Sequence, residues 1–304
     1  MDWLTRMNAA IVYIEENLDG DIDYEAMAKK ACCSSHNFTR MFSFVTDVSL
    51  SEYIRRRRLT RAAYDLQNSG TKVIDVAVKY GYDSPISFAR AFQQLHGVTP
   101  SEARNDGATL KAYPQMSFQI QIKGEKEMDY RIETKEAFQI FGIERICKDE
   151  ETEIVNPGDT HEIALVDDQW EECYENGEFD KLNNAAGELP PFVNGKVSKV
   201  HVAFAYKNTK PGTFATMLFA FRGPASNMEG YTVADIPAHT WAIFPSEVHP
   251  MNQQDEVVTA LNKRIYTEWF PASNYEPVGD LEFELYGGDD QNGYIEVWLP
   301  VKKI

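Results

Sequence analysis

The sequence predicts two domains of different class: an all-α module of two helix-turn-helix units over 1–108, then an α+β domain over 109–304. The second is expected to be a duplicated antiparallel sheet with helices. Three observations carry this. A set of residues recurs at a spacing of fifty within the first hundred positions. Period-two alternation of aromatic and β-branched residues takes over beyond residue 109. The charge changes at the same place: residues 1–108 carry 13 Lys+Arg against 14 Asp+Glu, residues 109–304 carry 17 against 33.

The repeat is specific. Ser34, Phe38, Arg40, Phe42, Val48 and Ser51 return as Ser84, Phe88, Arg90, Phe92, Val98 and Ser101. Upstream, Ala28-Lys29-Lys30 answers Ala77-Val78-Lys79. Each unit reads as a short helix, a tight turn and a second helix capped by serine. Ser84 is a natural N-cap, with Pro85 at the first helical position, where a missing N–H costs nothing. Phe88 and Phe92, like Phe38 and Phe42, share one helix face and point inward. Between the units, Leu50 to Asn68 reads as one long helix carrying Arg55-Arg56-Arg57-Arg58 and Arg61, ended by Ser69-Gly70.

A helix after a tight turn, apolar inside and polar or basic outside, fits the major groove of B-DNA. Two of them on a connecting helix would enter successive grooves. The four-arginine run by itself is equally a solvated face. A near-neutral first domain still attracts phosphates where its bases cluster, because attraction follows the local field. The acidic second domain is a poor nucleic-acid surface and is expected to hold something else.

The bulk properties exclude several classes. With 43% hydrophobic and 25% charged residues, the balance is that of a globular protein. No apolar run approaches the length of a membrane span, and the start Met1-Asp2-Trp3 lacks a signal-peptide pattern, so a cytoplasmic location without membrane contact is expected. Cys32, Cys33, Cys147 and Cys173 show no metal spacing and read as small hydrophobes in a reducing compartment. No metal and no cofactor is expected.

Residues 8–104 resemble the DNA-binding domain of the AraC/XylS family of transcription regulators. The pattern runs through Ile14-Glu15-Glu16, Ala28, Ser34, Phe38, Arg40, Phe42, Tyr53, Arg58-Leu59 and Ala62. It closes with Ile74, Ala77, Gly81-Tyr82, Ser84, Phe88, Arg90, Phe92, Gly97 and Pro100. The resemblance implies that both serine-capped helices read DNA. Base contact is carried over to His36, Asn37, Thr39 and Arg40, and to Ile86, Ser87 and Arg90. Double-stranded DNA and RNA polymerase are the implied macromolecular partners. Two positions depart from the pattern: Cys32 stands where the first turn usually has glycine, and Asp47 stands where the second unit has Gly97. Glycine serves turns that need positive φ.

After Asn105-Asp106-Gly107-Ala108, read as a linker, alternating segments cover 117–122, 203–206 and 293–298. Helical stretches fall near Asp167–Glu175 and Asp255–Phe270. This half resembles the GyrI-like effector-binding domain, attached as in Rob-like regulators. The resemblance is carried by Ile236-Pro237-Ala238, Trp241-Ala242-Ile243-Phe244, Trp269-Phe270-Pro271-Ala272, Phe283-Glu284-Leu285-Tyr286 and Ile295-Glu296-Val297-Trp298. It implies a small lipophilic effector, often a cation held by a carboxylate among aromatic rings. Glu284 matches the pocket glutamate, and Tyr286, two residues on, shares its strand face. Trp170, Tyr174, Phe219, Trp241 and Trp269 are candidate walls, although for each aromatic taken alone core packing is the better reading.

The expected function is therefore a sequence-specific transcription regulator whose second domain binds a small effector, and not an enzyme. The alternatives are a small-molecule hydrolase using Glu284 as general base, or a protein-binding module fused to a DNA-binding domain. His161, His201, His239 and His249 lack a catalytic context, and no catalytic residue is assigned.

Overall fold

The computed structural model describes residues 3–105, 107–119, 127–148, 169–210 and 213–304. Six helices occupy the first hundred residues: α1 (Trp3–Glu16), α2 (Tyr24–Ala31), α3 (Ser35–Thr46), α4 (Leu50–Asn68), α5 (Val73–Lys79) and α6 (Pro85–His96). Close Cα approach groups the chain into two compact units, Met1–Cys32 with Val48–Gln119, and Cys33–Asp47 with Ile120–Ile304. The composition boundary at 108/109 marks where charge changes. Packing places α3 with the second unit.

In the first unit the local signals act as the sequence expects. Ser84 accepts from the Ser87 amide and Pro85 opens α6. Ser49 caps α4, and α4 ends at Asn68. Phe88 and Phe92 are fully buried with Leu59, Ala62, Val76 and Ala77 in one core. Cys32 caps α2 with φ 60°, the left-handed conformation expected of a glycine position, and is exposed rather than buried. Asp47 likewise ends α3 at φ 56°.

The four-arginine run splits by function. Arg55 and Arg56 pair with Glu52 one turn back on the same helix. Arg57 is buried and donates to Glu15 at 2.7 Å, and Tyr53 donates to the same carboxylate at 2.7 Å. Arg58 donates to the Leu18 and Gly20 carbonyls at 3.1 and 2.6 Å. Arg57 and Arg58 thus tie α4 to α1 and the turn after it. Burial alone would raise the Glu15 carboxyl; the bonds from Arg57 and Tyr53 outweigh it and hold it below its ordinary range.

Residues 117–119, the described part of the expected strand 117–122, are not in a sheet. Phe118 bonds through its backbone to the Asn8 side chain instead, donating at 2.8 Å and accepting at 2.9 Å. Positions 120–122, Asp106 of the expected linker, and Asp167 and Asp168 lie outside the described residues.

The second unit is an antiparallel sheet of ten strands: β1 (Arg131–Lys135), β2 (Phe138–Lys148), β3 (His201–Phe204), β4 (Thr213–Phe221), β5 (Thr232–Ile236), β6 (His239–Pro245), β7 (His249–Pro250), β8 (Tyr275–Pro277), β9 (Glu282–Gly288) and β10 (Asn292–Lys303). The main order is β1-β6-β10-β9-β3-β4-β2-β5. Exchanging β1 with β5, β2 with β6, β3 with β9 and β4 with β10 reverses that order onto itself. The expected duplication is therefore visible in the topology, with β3 and β9 paired at its centre. The helices are α7 (169–175), α8 (Glu178–Ala185), α9 (Gln254–Arg264) and α10 (Phe270–Ala272), the last two joined by a π turn at Ile265–Trp269. The strand expected through Tyr206 ends at Phe204, because Ala205 turns off with φ 46°.

Alternation sorts the central strands into two faces. Ala203, Met217, Phe219, Trp241, Phe283 and Leu285 join one core. Val202, Phe204, Leu218 and Ala220 join Cys173, Leu182 and Trp170 on the face carrying α7 and α8.

Candidate functional site

On that helix-bearing face, β9 presents Glu282, Glu284 and Tyr286 at alternate positions. Glu284 lies opposite Val202 and Glu282 opposite Phe204 in the ladder. Glu282 and Glu284 are 2% and 5% exposed, so both carboxylates are removed from water and require partners. Tyr286 donates its hydroxyl to Glu284 Oε2 at 2.6 Å, and Asn262 of α9 donates to Oε1 at 3.2 Å. Burial, then the Glu284 charge, pushes the Tyr286 hydroxyl well above its ordinary range, which keeps it a donor.

A cavity of about 320 Å³ opens over this pair, within the size range of small-molecule sites. Trp170, Tyr174 and Phe179 form one wall: Trp170 and Tyr174 stack at 5.9 Å, Tyr174 and Phe179 at 4.3 Å, and Trp170 meets Tyr286 edge-on at 6.0 Å. Asp255 of α9, Phe44 and Phe204 also line it.

Of the residues expected from sequence, Glu284, Tyr286, Trp170 and Tyr174 come together here. Phe219 and Trp241 do not. Both are fully buried in the core of the opposite sheet face, where strand parity sends them. Trp269 lies in the π turn, edge-on to Phe244 at 4.9 Å and stacked on Tyr275 at 5.9 Å, away from the cavity lining. Sequence reasoning missed Phe179, Phe204 and Asp255. Phe204 was within reach, since it lies in an alternating segment, but its face depends on register with β9.

A third buried carboxylate, Glu296, sits on the other face and is fully engaged. It accepts from Arg131, Asn194, Tyr294 and Trp298, each at 2.8 Å. Although burial opposes it, these bonds hold its carboxyl below the ordinary range. Among the candidate histidines, His201 is fully buried and accepts from the Tyr286 amide at 3.3 Å; burial lowers its pKa to about 3, so it is neutral. His161 lies outside the described residues. Among the described residues no cluster of His, Cys, Asp or Glu is arranged to hold a metal ion.

The two helices expected to read DNA, α3 and α6, present different surroundings. On α6, Ile86, Ser87 and Arg90 are all exposed, with Ile86 76% open. On α3, Ser34 accepts from the Asn37 amide as its cap should. The outward residues are otherwise engaged within the second unit. His36 stacks on Phe214 at 3.7 Å, and Arg40 reaches both carboxylates of β9. Asn37 and Thr39 are half-buried.

Comparison with known proteins matches the chain in two parts, with α3 inside the first match. Residues 131–301, more than half of the chain, match the family of integron-associated effector binding proteins, and residues 27–106 match a helix-turn-helix domain. The Tn10 TetD protein of Escherichia coli is 39% identical over 102 residues, 34% of this chain and 74% of its own length. The HTH-type transcriptional activator AarP of Providencia stuartii is 38% identical over 91 residues, 30% of this chain and 67% of its own. The regulatory protein SoxS of Escherichia coli K12 is 37% identical over 95 residues, 31% of this chain and 89% of its own. Among solved structures, an integron cassette protein from the mobile metagenome of Vibrio cholerae aligns with 57% of this chain and 95% of its own, at 16% identity and a TM-score of 0.36. SAV2435, solved with tetraphenylphosphonium, aligns with 58% of this chain and 94% of its own, at 16% identity and a TM-score of 0.43. The chain thus belongs to the integron-associated effector-binding proteins through its second part, and to the AraC-type helix-turn-helix regulators of transcription through its first.

Proposed function

We propose that this regulator senses a lipophilic cation in the cavity over Glu284 and reads DNA through the exposed face of α6 together with α3. One observation carries the effector assignment: a buried carboxylate, 5% exposed, at the floor of a cavity walled by aromatic rings. Arg40 holds that charge in the structure, and a lipophilic cation can take its place, with ring faces adding to the attraction. Thermal denaturation of the full chain with lipophilic amines and amidines, each against a neutral isostere, tests it. Ligands that bind only the folded state raise its stability by mass action. The cations are expected to raise the melting temperature, and Glu284→Gln to abolish the rise. Equal shifts from cation and neutral isostere would sink the assignment.

For DNA, the proposed readers are Ile86, Ser87 and Arg90, with His36, Asn37, Thr39 and Arg40 on the first helix. Preference for its own upstream region over competitor DNA at physiological salt is the expected footprinting result. A transcription-activating role, and with it a contact to RNA polymerase, is supported by the kinship with AarP over residues of the first unit. Sensing rather than turnover is favoured because Glu284 already accepts from Arg40, Asn262 and Tyr286, which leaves it poorly disposed to activate a water.

A further inference from the structure

The cation subsite is filled by the protein's own side chain. Arg40 of α3, with its side chain 8% exposed, places Nη2 2.9 Å from Glu284 Oε1 and Nη1 against Glu282 Oε2. Its guanidinium carbon lies 4.2 Å from the Phe204 ring centre and 5.1 Å from that of Phe44. Two carboxylates two residues apart on one strand face, each taking a different nitrogen of the fork, with a ring beneath the plane, match a flat bidentate cation. A quaternary ammonium has no N–H to offer them, and a primary ammonium lacks the planar fork.

We infer that the effector of this site carries an amidinium or guanidinium on an aromatic body, and that it binds by displacing Arg40 from Glu282 and Glu284, thereby releasing α3. The inference rests on the reading of the Glu284 cavity as the effector site. The aromatic body is accommodated against the wall of Trp170, Tyr174 and Phe179, beside the subsite. Displacement follows from occupancy: two cations cannot share the same oxygens in a buried site. The consequence reaches DNA, because Arg40 cannot lie against Glu284 and on a base at once. Effector binding and base reading by α3 are therefore positively linked, and linkage is reciprocal. Other contacts are lost with release, including the His36 stack on Phe214 and the ion pair of Asp47 with Lys263. They tune how strongly the closed arrangement resists the effector.

Calorimetric titration of the full chain with benzamidine, and with benzamide as its neutral isostere, reads this directly. Wild type is expected to bind benzamidine and not benzamide, and Glu284→Gln to lose it. Arg40→Ala is expected to bind benzamidine about tenfold more tightly or better, since an occupied site reduces apparent affinity by the closed fraction. Arg40→Ala leaves two carboxylates uncompensated, so a second measurement uses unmodified protein: amide hydrogen exchange over 35–46 should quicken when benzamidine is bound. Binding with unchanged exchange in α3 and no gain in Arg40→Ala overturns displacement while leaving the cavity reading intact. Failure of benzamidine where other lipophilic cations stabilise the chain through Glu284 overturns the ligand class. Failure of every cation removes the cavity reading and the inference together.

Discussion

Two buried ionisable groups set how stability answers to pH. Glu15 is held below its ordinary carboxylate range by Arg57 and Tyr53, against the effect of burial. The unfolded chain therefore takes up a proton at Glu15 first as the pH falls. The contribution is present above the ordinary value of 4.5 and is lost as the pH drops through the lower folded value. Glu15→Gln should flatten that part of the melting profile, and at neutral pH it should cost about 3–5 kcal/mol by stranding Arg57. An unchanged acid limb in this variant would refute the pairing. His201 works from the other side. Burial depresses it from 6.5 to about 3, so it stays neutral in the fold while the unfolded chain charges it below 6.5. Stability of the second unit should fall as the pH falls across that window, and His201→Phe should remove the share of His201 and leave that of His239, which burial also depresses; a proton-uptake titration of the two variants checks both. Neither partner set was legible in sequence. Glu15 and Arg57 are 42 positions apart, and only the turn that brings α1 against α4 joins them.

The helices show where local signals suffice and where they fail. Caps, the proline start of α6 and the extent of α4 were readable because each depends on a few neighbouring residues. The departures at Cys32 and Asp47 were readable too: both keep the left-handed conformation that glycine holds at Gly81 and Gly97. Gly81 has an additional constraint, since a Cβ there would stand 2.7 Å from Arg58 Nη1. Cys32 is exposed and free of that neighbour, so Cys32→Gly should stabilise by about 1 kcal/mol through relief of left-handed strain. A denaturation midpoint unmoved or lowered would show that the turn is unstrained. On α6, Arg90→Ala should weaken specific DNA binding by about 1–3 kcal/mol if Arg90 reads a base. Uniform loss across sequences in a competition assay would make it a phosphate contact. The outward face of α3 could not be judged this way. The repeat places Arg40 like Arg90, but Glu282 and Glu284 lie far along the chain and only the folded arrangement reveals them.

At the scale of the molecule, the change of charge and the change of periodicity separated an α-helical first part from an α+β second part. The duplication is written in strand order as well as in pattern. What sequence could not supply was parity. Glu284 and Tyr286 share a face by simple alternation, whereas Phe219 and Trp241 required the register of β4 and β6 to be sent to the opposite core. The site consequently joins an acidic strand at the centre of the duplicated sheet to residues of α3, one of the two helices proposed to read DNA. The most direct test is the affinity of the full chain for a labelled duplex of its own upstream region, measured by fluorescence anisotropy with and without saturating benzamidine. Affinity is expected to rise by about fivefold or more in wild type, and not to change in Glu284→Gln. Equal affinity in the two conditions, with benzamidine demonstrably bound, would contradict it.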